Sequence, residues 1–181
     1  MKQPIERLVE HLVFENPYVR VYDDEVRFAD GTLGNYLRIC GPSEAPGVVI
    51  VARHRDRVAL VRTFRYPIDE HQWAFPRGFA HGPDLEATAR AELREELGTE
   101  ATSIKIVGYV TPDSGLMSSR VAVVLADTVS DREIPIDQLE VEEVRWVRTG
   151  ELRRMLLDGA IEDGFTLSAF ALAIVAGLDS R

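Results

Sequence analysis

Apolar and polar positions alternate with a period of two in the first part of the chain and recur once per helical turn in two later segments. Residues 19–40 read as a β-meander. Residues 19–22 and 25–28 alternate, and Asp23-Asp24 and Asp30-Gly31 stand where turns belong. Two β-branched runs, 48–52 and 58–61, flank the charged His54-Arg55-Asp56-Arg57 and predict a hairpin buried on one side. Residues 104–110, 121–125 and 141–147 are further strands, with Val144 and Trp146 sharing a face. A helix is expected over residues 84–97, with Asp84 as N-cap and Gly98 just past its end. A second begins near Thr149 or Gly150 and carries Leu152, Met155 and Leu156. A third, residues 166–176, is nearly all apolar and is expected to pack across a sheet. Strands, a helix, more strands and then helices indicate an α+β or α/β sandwich with mixed sheets, and periodicity alone does not choose between them.

The length, 181 residues, favours one domain, or one domain with a short N-terminal extension. With 45% hydrophobic and 28% charged residues the composition is that of an ordinary globular chain. The net charge of −9 and the lack of a basic run argue against nucleic acid as a partner. Phosphate groups would have to be met by a local cation or a bound metal. Cys40 is the only cysteine, so neither an internal disulfide nor a cysteine-based zinc cluster can form, which fits a cytoplasmic protein. Glu6, Glu10 and His11 interrupt the start of the chain, so it does not read as a signal peptide. The apolar stretch 167–178 is too short to span a bilayer, and no membrane association is expected.

The helix at 84–97 changes this picture most. Its apolar stripe is Leu85, Ala89, Leu93 and Leu97, and Glu92, Glu95 and Glu96 run along one edge of it. Arg90 and Arg94 point toward solvent. Glu95 and Glu96 occupy the last turn, where the helix dipole disfavours negative charge by about 0.3–1 kcal/mol each. A divalent cation between the carboxylates would reverse that penalty, and oxygen-only ligands suit Mg2+ or Mn2+. The plainer alternative is a solvated charged face built from pairs such as Glu86 with Arg90.

The surroundings favour the metal. Trp73-Ala74-Phe75-Pro76-Arg77-Gly78-Phe79 precedes the helix, and Ala91-Glu92-Leu93-Arg94-Glu95-Glu96-Leu97-Gly98-Thr99 closes it. Together these resemble the Nudix box, a glycine followed at fixed spacing by glutamate and then by R-E-U-x-E-E-x-G-U, where U is a bulky aliphatic residue. Phe64-Arg65-Tyr66-Pro67 upstream is similar to the approach to the box in ADP-ribose pyrophosphatases. Downstream, residues 108–115, 121–125 and 144–147 and the run Asp163-Gly164-Phe165-Thr166-Leu167 continue the resemblance. The box is degenerate. Its first glycine falls in register on Arg77, with Gly78 one residue late, and its first glutamate falls on Pro83. Ala91 stands where the family has an arginine that orients the glutamates, and Ala74 and Thr99 also depart from the pattern. Ser114 stands where the ADP-ribose branch often has proline.

The resemblance implies an α/β/α sandwich of the Nudix fold, with a mixed β-sheet over residues 46–181 and an N-terminal antiparallel β extension over residues 1–45 that exchanges strands in a homodimer. It implies metal-dependent attack of water on the pyrophosphate of a nucleoside diphosphate linked to another moiety, ADP-ribose being favoured. Glu92 and Glu96, with the Arg77 carbonyl, would hold Mg2+ or Mn2+, and Glu95, beside them, would be catalytic together with Glu140 and Glu143. The base that accepts the water's proton would come from Glu140, Glu142 or Glu143, and Glu140, just ahead of a strand, is freest to reach a cleft. Arg65 and Arg77 are the candidate substrate-binding cations. His54, His71 and His81 show no metal spacing and are expected in loops, and Ser114 and Ser118 lack a nucleophile elbow. Two other readings stand beside this one: a Nudix-fold nucleotide-binding or regulatory protein with little hydrolysis, and a Nudix enzyme for nucleotide sugars or modified nucleoside triphosphates.

Overall fold

The computed structural model describes residues 4–41, 43, 45–80, 82–131 and 140–178. His81, which the sequence places in a loop, lies outside them. Two compact units emerge, Met1–Glu44 with Thr111–Arg120, and Ala45–Val110 with Val121–Arg181.

The first unit is an antiparallel sheet around one long strand. β1 (Ile5–Val9) and β2 (Leu12–Glu15) follow one another along one edge of β3 (Arg20–Phe28), and β4 (Leu33–Cys40) pairs with its other edge. The turn expected at Asp23-Asp24 does not form, and β3 runs through both residues. Tyr22, Asp24 and Val26 share the buried face, as a period of two requires. Arg38 on β4 satisfies Asp24 with a 2.8 Å Nε–Oδ2 bond and covers the Tyr22 ring at 4.1 Å. A carboxylate inside an alternating strand therefore marks a cross-strand ion pair here and not a turn.

The second unit holds the larger sheet. Its strands are β5 (Gly47–His54), β6 (Arg57–Arg65), β7 (Glu70–Ala74), β8 (Arg77–Gly78), β9 (Ala101–Val110), β10 (Val121–Thr128) and β11 (Glu143–Arg148). The order is β11-β6-β5-β10-β9, with β5 and β10 parallel and the remaining pairs antiparallel, so the sheet is mixed. His54 and His71 thus lie in strands, a correction to their expected loop positions. Helix α1 (Leu85–Leu97) covers one face, packing Ala89, Leu93 and Leu97 on Val48, Ile50, Ala52, Ala59 and Val61. Helices α2 (Thr149–Leu157) and α3 (Gly164–Val175) cover the other, where Leu152, Ala169 and Phe170 meet Val49, Val51, Val58 and Leu60. The β5–β6 hairpin is consequently buried on both faces, not one. Its unbroken β-branched runs are what a strand covered on both sides demands. This unit is the α/β/α sandwich expected from sequence. Among the described residues, no helix is long and apolar enough to cross a membrane.

One irregularity of the sheet positions the site. β5 and β6 pair only beside their turn, at Arg53↔Val58 and His54↔Arg57, and then diverge. β7 pairs with β6 (Val61↔Ala74) and β8 with β5 (Val48↔Gly78), so residues 74–78 run through the opening between them. That segment is delivered against α1.

Candidate active site

Helix α1 forms where sequence expects it and for the expected reasons. The Asp84 side chain accepts from the backbone N–H groups of Glu86 and Ala87 at 3.0 Å each, and Gly98 takes the left-handed conformation, φ 61°, that ends the helix. Arg90 pairs with Glu86 at 2.7 Å and donates to the Ala101 carbonyl, so the solvent-side pair is real as well.

The three glutamates do not share one environment. Glu92 is buried, 7% exposed, whereas Glu95 is exposed. Glu96 lies between these extremes, and its Oε2 atom is sequestered without a hydrogen-bond partner. Positions four apart differ by about 40° around a helix, so Glu92 and Glu96 point one way while Glu95 diverges from both. The Arg77 backbone N–H donates to the Glu96 carboxylate. Gly78 packs so tightly on Glu92 that a β-carbon at that position would overlap its carboxylate. The glycine that appeared one residue late in the box is therefore required here by close approach.

Burial, and then the neighbouring Glu92, push the Glu96 pKa from 4.5 up to about 8; the Arg77 N–H and Arg65 pull the other way, and Glu140 adds to the rise. Arg65, at the end of β6, has its guanidinium shifted down by burial and by the adjacent Arg77, while Asp163, Glu96 and Glu140 oppose that shift. Its Nε atom is buried without a partner. Arg77 is held by Asp163, with Nη1 3.2 Å from Oδ1, and lies 4.7 Å over the Phe165 ring. Two carboxylates and two guanidinium groups thus converge, and both Glu96 and Arg65 keep a buried polar atom unsatisfied. Burying such atoms is unfavourable unless a ligand completes them.

Glu140 interacts electrostatically with both Glu96 and Arg65. Glu142 is engaged by His71 at 2.7 Å, and Glu143 is exposed, 4.0 Å from Arg62. The structure therefore gathers Arg65, Arg77, Glu92, Glu96 and Glu140. Glu95 instead lines a concavity of about 260 Å3 with Gly82, Pro83, Asp84, Ala87, Thr88 and Ala91. Asp163 belongs to the gathered group but was visible in sequence only within the run 163–167. An Asp three residues before a Thr at a helix start is a capping signal, and it could have pointed there. Trp146 lies in the core on the α1 side, and Trp73 packs against the core on the other.

No three His, Cys, Asp or Glu side chains among the described residues are arranged to hold a metal by themselves. Mg2+ does not need three, since it binds through one or two carboxylates with waters and substrate phosphates. The unpartnered Glu96 Oε2 beside buried Glu92 fits that donor set.

The NUDIX domain profile matches residues 43–167. This chain belongs to the Nudix family. Among curated relatives, the Nudix chain is 25% identical over 170 residues to a CMP-5'-(N-acetyl-N-hydroxy-3-aminopropyl)phosphonate hydrolase of Streptomyces rubellomurinus, covering 93% of this chain and 81% of that protein. It is 24% identical over 124 residues to the ADP compounds hydrolase NudE of Escherichia coli, covering 67% and 66% respectively. A crystal structure of an ADP compounds hydrolase matches the fold with a TM-score of 0.82 at 21% identity, over 97% of this chain and 95% of that one. The protein is a Nudix pyrophosphohydrolase by family.

The Glu96 shift has a consequence for the metal-free protein. A carboxyl whose folded pKa lies above its unfolded value holds its proton more tightly when folded. The stability it contributes is full below about pH 4.5 and is lost as pH rises through about 8. Thermal melts of the metal-free chain should therefore fall relative to Glu96→Gln across that window, by at most roughly 1.4 kcal/mol per pH unit. A difference that does not change with pH would show that Glu96 ionises freely.

Proposed function

We propose that this Nudix chain hydrolyses a nucleoside diphosphate linked to a second moiety, with ADP-ribose the favoured substrate, in a reaction dependent on Mg2+ or Mn2+. The observation that carries the proposal is buried Glu92 beside Glu96, one of whose carboxylate oxygens is sequestered without a partner, close to Arg65 and Arg77. Glu92, Glu96 and the Arg77 carbonyl would hold the cation. Bound there, it would supply neutralising charge to the phosphate oxygens and a more acidic water. Arg65 and Arg77 bind the diphosphate, Arg77 pre-oriented by Asp163 and Phe165. Glu140 accepts the proton of the attacking water, since it interacts with both Glu96 and Arg65 while Glu142 pairs with His71. Water oxygen bonds to one phosphorus, the bridging P–O bond breaks, and the departing phosphate carries away the electron pair. Glu95, on the groove side of the helix, is assigned no step.

The names of the relatives differ in the nucleotide, ADP in one and CMP in the other. The test is monophosphate release from ADP-ribose, nucleotide sugars, cytidine diphosphate compounds and nucleoside triphosphates, each with Mg2+ and with Mn2+. ADP-ribose is expected to be turned over fastest. No release from any of them would favour a nucleotide-binding protein.

The degenerate box points to an attenuated enzyme. Pro83 and Ala91, which replace the box glutamate and arginine, line the same 260 Å3 concavity, so the space those side chains would fill is open. Ala91→Arg should enter it without loss of thermal stability. Metal affinity or turnover should rise about tenfold, within the 10–100-fold range typical of groups that orient metal ligands. A stability loss of about 1–3 kcal/mol from overpacking, with no gain in either, would contradict this.

We also propose a homodimer through the first unit. Leu12, Val13 and Phe14 on β2 are 49%, 57% and 53% exposed, and Leu8 on β1 and Leu33 and Leu37 on β4 are exposed too. A second copy is the partner the family resemblance supplies. Sedimentation should give twice the chain mass at micromolar concentration, and a monomer there would reject the proposal.

A further inference from the structure

The first turn of α3 does more than cap its own helix. Thr166 is fully buried and Asp163 nearly so; Asp163 orients Arg77, and Thr166 has no part in the hydrolytic steps above. Asp163 Oδ2 accepts from the Thr166 backbone N–H at 2.9 Å and from the Thr166 hydroxyl at 2.7 Å. The same hydroxyl accepts from the Phe75 backbone N–H at 2.9 Å, across 91 positions of sequence. Asp163 Oδ1 takes the Arg77 guanidinium. Phe75 lies between β7 and β8, so its N–H falls outside both ladders.

One helical turn therefore holds residues 75–77 at two points, a backbone N–H and a side chain. On its other side the same segment donates the Arg77 N–H to Glu96 and presses Gly78 on Glu92. We propose that Asp163 and Thr166 are positioning residues: they fix the 75–78 segment and, through it, the spacing of Glu92 and Glu96 and the aim of Arg77. An N-cap alone needs only the Asp163 carboxylate. The threonine hydroxyl, which bonds both carboxylate and distant backbone, is the part that capping does not explain. This inference rests on the metal-dependent reading and adds the element that sets its geometry.

The test is Mn2+ affinity, measured by titration with the paramagnetic signal of free Mn2+, alongside kcat and KM on the best substrate. Thr166→Val removes both hydroxyl bonds at constant shape. It should weaken Mn2+ binding by about 10–100-fold, as loss of a ligand-orienting partner typically does, and lower kcat more than it raises KM. Thr166→Ser should restore both toward the natural values. Asp163→Asn keeps a capping oxygen but loses the charge on Arg77, and should weaken binding in the same direction. It decides the matter if Thr166→Val does not fold. Ala173→Gly, fully buried at the far end of α3, is the control, expected to lower the melting temperature and leave Mn2+ affinity unchanged. Natural Mn2+ affinity in Thr166→Val or Asp163→Asn overturns the positioning role while leaving hydrolysis intact. An equal affinity loss in Ala173→Gly, or no Mn2+ binding by the natural chain, overturns it too. Normal Mn2+ binding without hydrolysis removes the hydrolytic reading instead, and the affinity series still decides this one.

Discussion

Glu96→Gln is expected to remove more than 99% of turnover and to weaken Mg2+ or Mn2+ binding by more than about 100-fold, because even partners behind a metal ligand are worth about 10–100-fold. The amide keeps the shape of the side chain and one oxygen but not the charge. It cannot compensate a divalent cation, and Glu92 alone leaves the site one carboxylate short. The same change should raise the melting temperature of the metal-free protein near pH 8, where natural Glu96 is being forced to ionise in a buried place beside Glu92. The two effects have opposite signs, which separates loss of the site from loss of the fold. Wild-type turnover by a folded Glu96→Gln protein would remove Glu96 from the metal site.

Glu140→Gln should lower kcat by about 100- to 10,000-fold, the usual worth of a positioned general base. Mn2+ affinity and KM should change little, since Glu140 meets the other groups by charge and is assigned to the water. Glu142→Gln and Glu143→Gln serve as comparisons, because Glu142 pairs with His71 and Glu143 is exposed, 4.0 Å from Arg62. A loss confined to Glu143→Gln, with Glu140→Gln active, would move the base to the start of β11.

Much of the fold and part of the site could be read from the chain because their causes are local. Asp84 and Gly98 bracket α1 by capping chemistry, and the period of Ala89, Leu93 and Leu97 sets its buried face. What failed depended on distant partners. Asp23-Asp24 looks like a turn until Arg38 arrives from the next strand to neutralise Asp24. The β5–β6 hairpin looks half-buried until both helical layers are in place. In the site, a spacing of three and four residues grouped all the glutamates, but positions four apart point most nearly the same way, and residues 74–78 meet Glu92 and Glu96. Sequence favours Glu140 over Glu142 and Glu143 only by its place ahead of a strand, and the His71 partner of Glu142 lies far away in sequence. Asp163 carries its own capping signal, but nothing local shows that its other oxygen holds Arg77.

The central claim is that water attacks a phosphorus of the diphosphate bridge with the help of a metal held by Glu92 and Glu96. Hydrolysis of ADP-ribose in water labelled with heavy oxygen, followed by mass analysis of the products, tests it most directly. The expected result is AMP and ribose 5-phosphate, with one label in the phosphate of one of them, formed with Mg2+ or Mn2+ and not in the presence of a chelator. Release of ADP or free adenine, label on a sugar carbon, or equal turnover with the metal removed would contradict the account.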